Sequence, residues 1–215
     1  MIISPGRNYI FVHIPKTGGT SLSLALEGRA MKDDILIGDT PKARKRRRRL
    51  RGARAAGRLW KHSTLADIEG LVSREFVAGA FVVTMVRNPW DRAVSYYRWL
   101  RVQGFDHPAV RAAKASDFSG FLNTRHTRNA LRANPCGRYV TRPDGVEHCN
   151  AFIRLERFET DAAPLWDHLG FRLRLPRCNA SDRRADYRGY YSDADAALLA
   201  ELCAEDIRRF DYDFG

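Results

Sequence analysis

The sequence predicts an α/β fold, a single domain over residues 1–215 with a central, mainly parallel sheet flanked by helices. Three observations carry this. Tyr9–Ile14 (YIFVHI) and Ala80–Val86 (AFVVTMV) are hydrophobic continuously rather than alternately, which suits strands buried on both faces. Each run is followed within a few residues by turn chemistry and then a helix start. The chain has 215 residues, 44% hydrophobic and 11% aromatic, which is enough for a core and too apolar for a disordered chain.

The elements follow in order. Pro15 stops the first strand, Gly18 and Gly19 form a turn, and Thr20 opens SLSLALEG, where Leu22 and Leu26 have helical spacing. Next comes a basic stretch, expected as a flexible insertion at about 40–59. Residues 42–58 hold ten lysines and arginines and no acid. The formal net charge is +12, and 12 minus those 10 leaves +2, so the rest of the chain is nearly neutral. The charge therefore speaks to partners and not to fold. The run can touch an anionic glycan or a membrane surface, or simply be solvated, as charge runs usually are. It lacks interleaved aromatics and any reading module, so no specific nucleic-acid partner is expected.

After the second strand Asn88 can cap a helix, Pro89 suits its first position, and Asp91 places a negative charge in the first turn. That helix is predicted through Arg92, Ser95 and Trp99. Residues 105–135 alternate between helical and irregular patterns without an assignable order. Phe152–Leu155 reads as a further strand. Ser192 with Asp195 resembles a capping box, and Leu198, Leu202, Cys203, Ile207 and Phe210 continue on one helical face.

Four cysteines, Cys136, Cys149, Cys178 and Cys203, form no C-x-x-C pair, and free thiols in a reducing compartment are expected. A Cys136–Cys149 disulfide, or a zinc site from Cys136, His148, Cys149 and Cys178, stands as an alternative without a recognised ligand spacing. No stretch approaches the roughly 18–20 apolar residues of a membrane span. The start of the chain lacks a signal-peptide pattern. A cytoplasmic protein is expected.

Two constellations carry chemistry. The first is Pro15-Lys16-Thr17-Gly18-Gly19-Thr20-Ser21. Glycines let the backbone fold tightly and turn N–H groups toward an anion, and the helix start adds partial positive charge. Lys16 adds a full charge; Thr17, Thr20 and Ser21 add hydroxyls. The pattern differs from G-x-x-x-x-G-K-[ST], because the lysine precedes the glycines and no hydroxyl follows it in the Mg²⁺ position. The second is Arg87-Asn88-Pro89-Trp90-Asp91-Arg92-Ala93-Val94-Ser95. Singly, Arg87 reads as a surface arginine and Ser95 as a small packing residue. Arg87 ends a strand, where α/β folds bind ligands, and Ser95 follows about two helical turns on.

HIPKTGGTSL and VRNPWDRAVSYY resemble the two 3′-phosphoadenosine-5′-phosphosulfate (PAPS) signatures of the sulfotransferase superfamily. They are most similar to the carbohydrate sulfotransferases of the heparan 2-O- and HNK-1-type group and their bacterial relatives. FIRLERFE (152–159), PRCNASDRRADYRGYYS (176–192) and DIRRFDYDF (206–214) extend the resemblance. It is weakest at 36–59 and 100–135. It implies a P-loop-kinase-like fold and sulfuryl transfer from PAPS, without a metal, to a hydroxyl acceptor of carbohydrate type. Lys16 with Thr17, Gly18, Gly19, Thr20 and Ser21 would take the 5′-phosphosulfate. Arg87 and Ser95 would grip the 3′-phosphate, and Arg183 and Arg184 would contact the nucleotide. His62, in Trp60-Lys61-His62-Ser63, resembles the group's base, with His126, His148 and Glu156 as fallbacks. His13, in the first strand, is expected to pack or hydrogen-bond in the core. Two other classes compete: a P-loop-type nucleotide or sugar kinase, which would show divalent-metal dependence, and a polyanion-binding protein, motivated by the basic run.

Overall fold

The computed structural model describes residues 1–176 and 186–215. One sheet of five strands contains β1 (Ile2–Ser4), β2 (Tyr9–Val12), β3 (Ile35–Leu36), β4 (Phe81–Val86) and β5 (Ala151–Arg154), in the order β3-β1-β2-β4-β5. β2 and β5 run parallel on either side of β4, with Phe11 opposite Val83 and Met85 opposite Ile153. These are the three strands the sequence predicts, and they make the α/β core. The remaining edge is antiparallel: β1 pairs with β2 and with β3. β1 and β3 have 3 and 2 residues, too short to show a period in the sequence.

The chain divides into two compact units. The first comprises residues 1–86 and the described residues from 136 to 176; it contains the whole sheet. β2 and β4 are buried on both faces, which is why their hydrophobicity is continuous. On one face Tyr9, Phe11, Val83, Met85 and Ile153 pack with Leu22 and Leu26 of α1 (Gly19–Gly28) and with Leu165 and Trp166 of a helix at Ala163–Leu169.

Part of the basic run is helical. α2 (Pro41–Arg46) opens on Thr40, whose hydroxyl accepts from the Ala43 N–H at 3.2 Å and donates to the Glu27 carboxylate. Arg46 donates to the Met31 and Asp34 carbonyls at 2.7 and 3.2 Å, and Ala43 is buried. A 3-10 turn continues over Arg47–Leu50. α3 (Arg74–Gly79) then leads into β4, with Ser73 accepting from the Phe76 N–H.

The second unit comprises 87–135 and the described residues from 186 to 215, and it is helical. α4 (Pro89–Arg101) starts as the sequence predicts: the Asn88 side chain accepts from the Trp90 N–H and Pro89 occupies the first turn. Trp90, Ala93, Val94, Tyr97 and Leu100 repeat at three- and four-residue spacing and are all buried. The stretch 105–135 resolves into α5 (Pro108–Ala115), α6 (Phe118–Asn123) and α7 (Arg125–Ala133), each capped by the side chain before it: His107, Asp117 and Thr124. The Ser192–Asp195 capping box is present. The single helix expected after it breaks at Cys203 into Asp193–Leu202 and Ala204–Phe210. Among the described residues no helix is long and apolar enough to cross a membrane.

Candidate active site

The loop from β2 to α1 has an unusual backbone. Lys16 adopts φ 66° and Gly18 φ 83°, both left-handed. For an L-residue such as Lys16 that conformation costs about 1–2 kcal/mol. Left-handed residues alternating with others gather successive N–H groups into an anion-binding concavity. Gly18 is also the N-cap of α1 and has no side chain with which to cap it. The Ser21 N–H donates to the Gly18 carbonyl at 3.1 Å, and no side chain caps the N–H groups of Gly19 and Thr20 ahead of it, at the positive end of the helix.

Each glycine has its own reason. Gly18 needs its positive φ, and a Cβ there would also lie 2.8 Å from Leu155 Cδ1. Gly19 needs space: a Cβ would lie 2.4 Å from Cδ2 of His13. Thr20 and Ser21 are half-buried in the first turn of the helix. Thr17 differs from its expected role as a hydroxyl donor to phosphate. Its side chain is fully buried, and its hydroxyl donates to the Ile14 carbonyl at 2.9 Å. A hydroxyl has one hydrogen, so Thr17 offers the loop its backbone N–H.

His62 meets this loop through His13, 49 residues earlier in the chain. The His62 Nδ1 lies 2.7 Å from the His13 carbonyl oxygen. A carbonyl only accepts, so Nδ1 carries the hydrogen and Nε2 carries the lone pair. The two imidazoles meet edge to face at 4.8 Å, and the Trp60 ring meets His62 from another side at 4.9 Å. Burial among these rings lowers the His62 pKa to about 4, with the His13 carbonyl bond acting against the shift. Burial holds His13 well below the ordinary histidine value, and the neighbouring His62 adds to the effect. His62 is thus a neutral ring at neutral pH with a fixed tautomer. His13 was expected to pack or hydrogen-bond in the core; it is buried, and its backbone carbonyl holds His62. No short-range pattern signals that contact.

Arg87 follows β4 directly. Its Nε and one Nη donate to Asp91 Oδ2 at 2.7 and 2.5 Å. The pair lies one helical turn apart and is mostly buried, with side chains 11% and 16% exposed, so the carboxylate fixes the plane of the guanidinium. The sequence singled out Asp91 for the helix dipole alone; its partner could have been read from the four-residue spacing. Ser95 sits further along α4 and is buried. Asn88 adds a second tie: its Nδ2 donates to the Asp213 carbonyl at 2.8 Å, while the Tyr191 hydroxyl donates to the Trp90 carbonyl at 2.8 Å. The closing segment thereby braces the start of α4.

Glu156 is exposed in a 3-10 turn after β5, and His126 is exposed on α7 against His107. The His148 Nε2 is bound to the Ala80 carbonyl at 2.9 Å. Arg154 pairs with Asp161 through both carboxylate oxygens. Among the described residues no three His, Cys, Asp or Glu side chains gather as metal ligands. Arg183 and Arg184, and Cys178 of the zinc alternative, lie outside the described residues.

No family model and no curated protein matches the sequence. In fold the chain is similar to the crystal structure of mouse sulfotransferase SULT7A1 complexed with PAP. The TM-score is 0.51 at 16% sequence identity, over 97% of this chain and 88% of that one. The chain has a sulfotransferase fold.

Proposed function

We propose that this protein is a sulfotransferase that moves a sulfuryl group from PAPS to a hydroxyl of a carbohydrate. The observation that carries the reading is the β2–α1 cradle: two left-handed residues, a bare helix start and Lys16, with no acid from Pro15 to Ser21. That donor set suits an anion. The carbohydrate class rests on the resemblance of HIPKTGGTSL and VRNPWDRAVSYY to the carbohydrate sulfotransferases.

In this reading the acceptor oxygen attacks sulfur in line, and the bond from sulfur to the 5′-phosphate oxygen breaks. The acceptor proton passes to Nε2 of His62. The electron pair leaves on the 5′-phosphate, where Lys16 and the loop N–H groups stabilise it. Lys16 meets that phosphate before transfer and more strongly as charge builds, so it serves both binding and turnover. His62 is neutral before substrate binds, and the anionic donor raises its pKa toward the range where a general base works best. Arg87 and Ser95 grip the 3′-phosphate, Asp91 keeping the guanidinium in register. Arg183 and Arg184 contact the nucleotide.

The test is nucleotide discrimination. Thermal shift and calorimetry with 3′-phosphoadenosine 5′-phosphate (PAP), AMP and ATP should show PAP bound at least tenfold more tightly than AMP. A charge-assisted bond contributes about 1.5–3 kcal/mol, a tenfold effect or more. Equal affinity for PAP and AMP would refute the assignment.

A further inference from the structure

We propose that the second unit carries a lipid-docking surface: an aromatic tip at the end of α4 that enters the headgroup region of an anionic phospholipid bilayer, independently of what the cradle binds. α4 ends at Arg101, and the chain turns through 102–107 before α5 begins. Three large apolar side chains stand in water there: Trp99 is 36% exposed, Val102 79% and Phe105 48%. Among the described residues they are all the exposed large apolar side chains of the second unit, and they fall within seven positions of the chain. Rings hold the tip in place. Tyr96 stacks on Trp99 at 6.1 Å, Trp99 meets Phe105 at 6.0 Å, and Phe105 meets His107 at 6.2 Å. His107 is itself fixed as the cap of α5, its Nδ1 accepting from the Ala109 N–H at 3.2 Å. The His126 ring of α7 closes the row, 5.3 Å from His107. The rings are already ordered, so docking loses little conformational freedom.

Charge decides what covers the tip. From Arg98 to Arg132 the chain carries seven lysines and arginines against two acids, Asp106 and Asp117. Asp106 is neutralised by Arg111, and Asp117 caps α6. Arg101 lies in the last turn of α4, and Arg125 opens α7 beside His126. Both are exposed, and neither makes an ion pair among the described residues. Tryptophan and phenylalanine bordered by arginine suit the boundary of a bilayer, where rings sit among the headgroups and guanidiniums meet lipid anions. A second copy of the chain fits less well. The three exposed side chains present on the order of 300 Å², short of the roughly 800 Å² per partner of a standard protein interface. A two-fold contact would also set the arginines of one tip against those of the other.

The experiment is co-sedimentation of the full chain at low salt with vesicles of phosphatidylcholine alone, and of phosphatidylcholine mixed with phosphatidylglycerol. The mixed vesicles should bind at least about tenfold more tightly, since each arginine near an anionic leaflet contributes roughly fivefold. V102S/F105S, changed at two exposed positions, should lose about tenfold of that binding and keep the wild-type melting temperature. R101Q/R125Q should lose at least about fivefold on the mixed vesicles. Of the four tryptophans, Trp90 and Trp166 are buried, so quenching by brominated lipid reads Trp60 and Trp99. Quenching should persist in W60F and vanish in W99F. The opposite pattern would move the contact to the basic run and overturn the proposal. So would absence of binding, equal binding to the two kinds of vesicle, or wild-type binding by V102S/F105S. Dimers that form with rising concentration and are lost in V102S/F105S would give the tip to a second copy instead. An oligodeoxynucleotide that binds more tightly than the mixed vesicles, and is lost in the same variant, would give it to nucleic acid.

Discussion

The loop after β2 and the loop after β4 both turn a parallel strand into a helix, and they do it with different materials. Between β2 and α1 the backbone does the work: Lys16 and Gly18 take positive φ, Gly19 lets a buried ring approach, and no side chain caps the helix. Between β4 and α4 side chains do it: Asn88 caps, Pro89 opens the helix, and Asp91 holds Arg87. A backbone cradle tolerates changes to its hydroxyls and not to its glycines. A side-chain grip depends on one arginine and its orienting partner.

The largest effect expected from this contrast is on chemistry. His62 touches the cradle's neighbour His13 and acts on the acceptor, so His62→Ala should lower turnover by about 10²–10⁴ and leave PAP affinity nearly unchanged. Steady-state kinetics beside calorimetry separate the two, and near-normal turnover would remove His62 from the mechanism. Next in size, Arg87→Ala should weaken PAP binding about tenfold or more and AMP binding little. Ser21→Ala in the cradle should change PAP affinity less, because the cradle binds through N–H groups. A Ser21 variant as damaging as the Arg87 one would break the comparison.

Gly19→Ala tests the cradle's packing. The added Cβ meets the buried His13 ring, and overpacking of this kind costs about 1–3 kcal/mol. Denaturant unfolding measures it, and an unchanged midpoint would mean the ring can move aside.

The smallest effect is a slope. The His62 pKa is lowered to about 4 in the folded chain against an ordinary 6.5, and that of His13 is also lowered. Between those values the unfolded chain binds more protons than the folded one, so this contribution is fully present above about 6.5 and is lost as pH falls toward 4. Melting temperature should decline over that window, and His62→Gln should flatten the decline. A variant with the wild-type slope would assign it to other groups.

Much of this was legible in the residues because the signals are local. Capping acts over two or three residues, which is why Asn88–Trp90 and Ser192–Asp195 form as their spacing predicts. A strand buried on both faces is apolar nearly throughout; β2 is wholly so, and β4 is but for Thr84, whose hydroxyl donates to the Val12 carbonyl at 2.8 Å. The basic run is legible only in part. Its composition speaks of solvation, yet Arg46 finds the Met31 and Asp34 carbonyls and Ala43 finds the core, and these are contacts composition does not encode.

By itself, then, the sequence determined the α/β class, the glycine loop with its lysine, and the helix that begins at Pro89, because short-range sterics and hydrogen bonding decide such features within a few residues. Only tertiary structure decided the antiparallel edge of β1 and β3, the inward turn of the Thr17 hydroxyl, and the meeting of His62 with His13. It also decided that Arg47, Arg51 and Arg58 share a cleft with Trp60. Each of these depends on which distant segment the chain brings alongside, and chain closure over tens of residues leaves no periodic trace in the residues that meet.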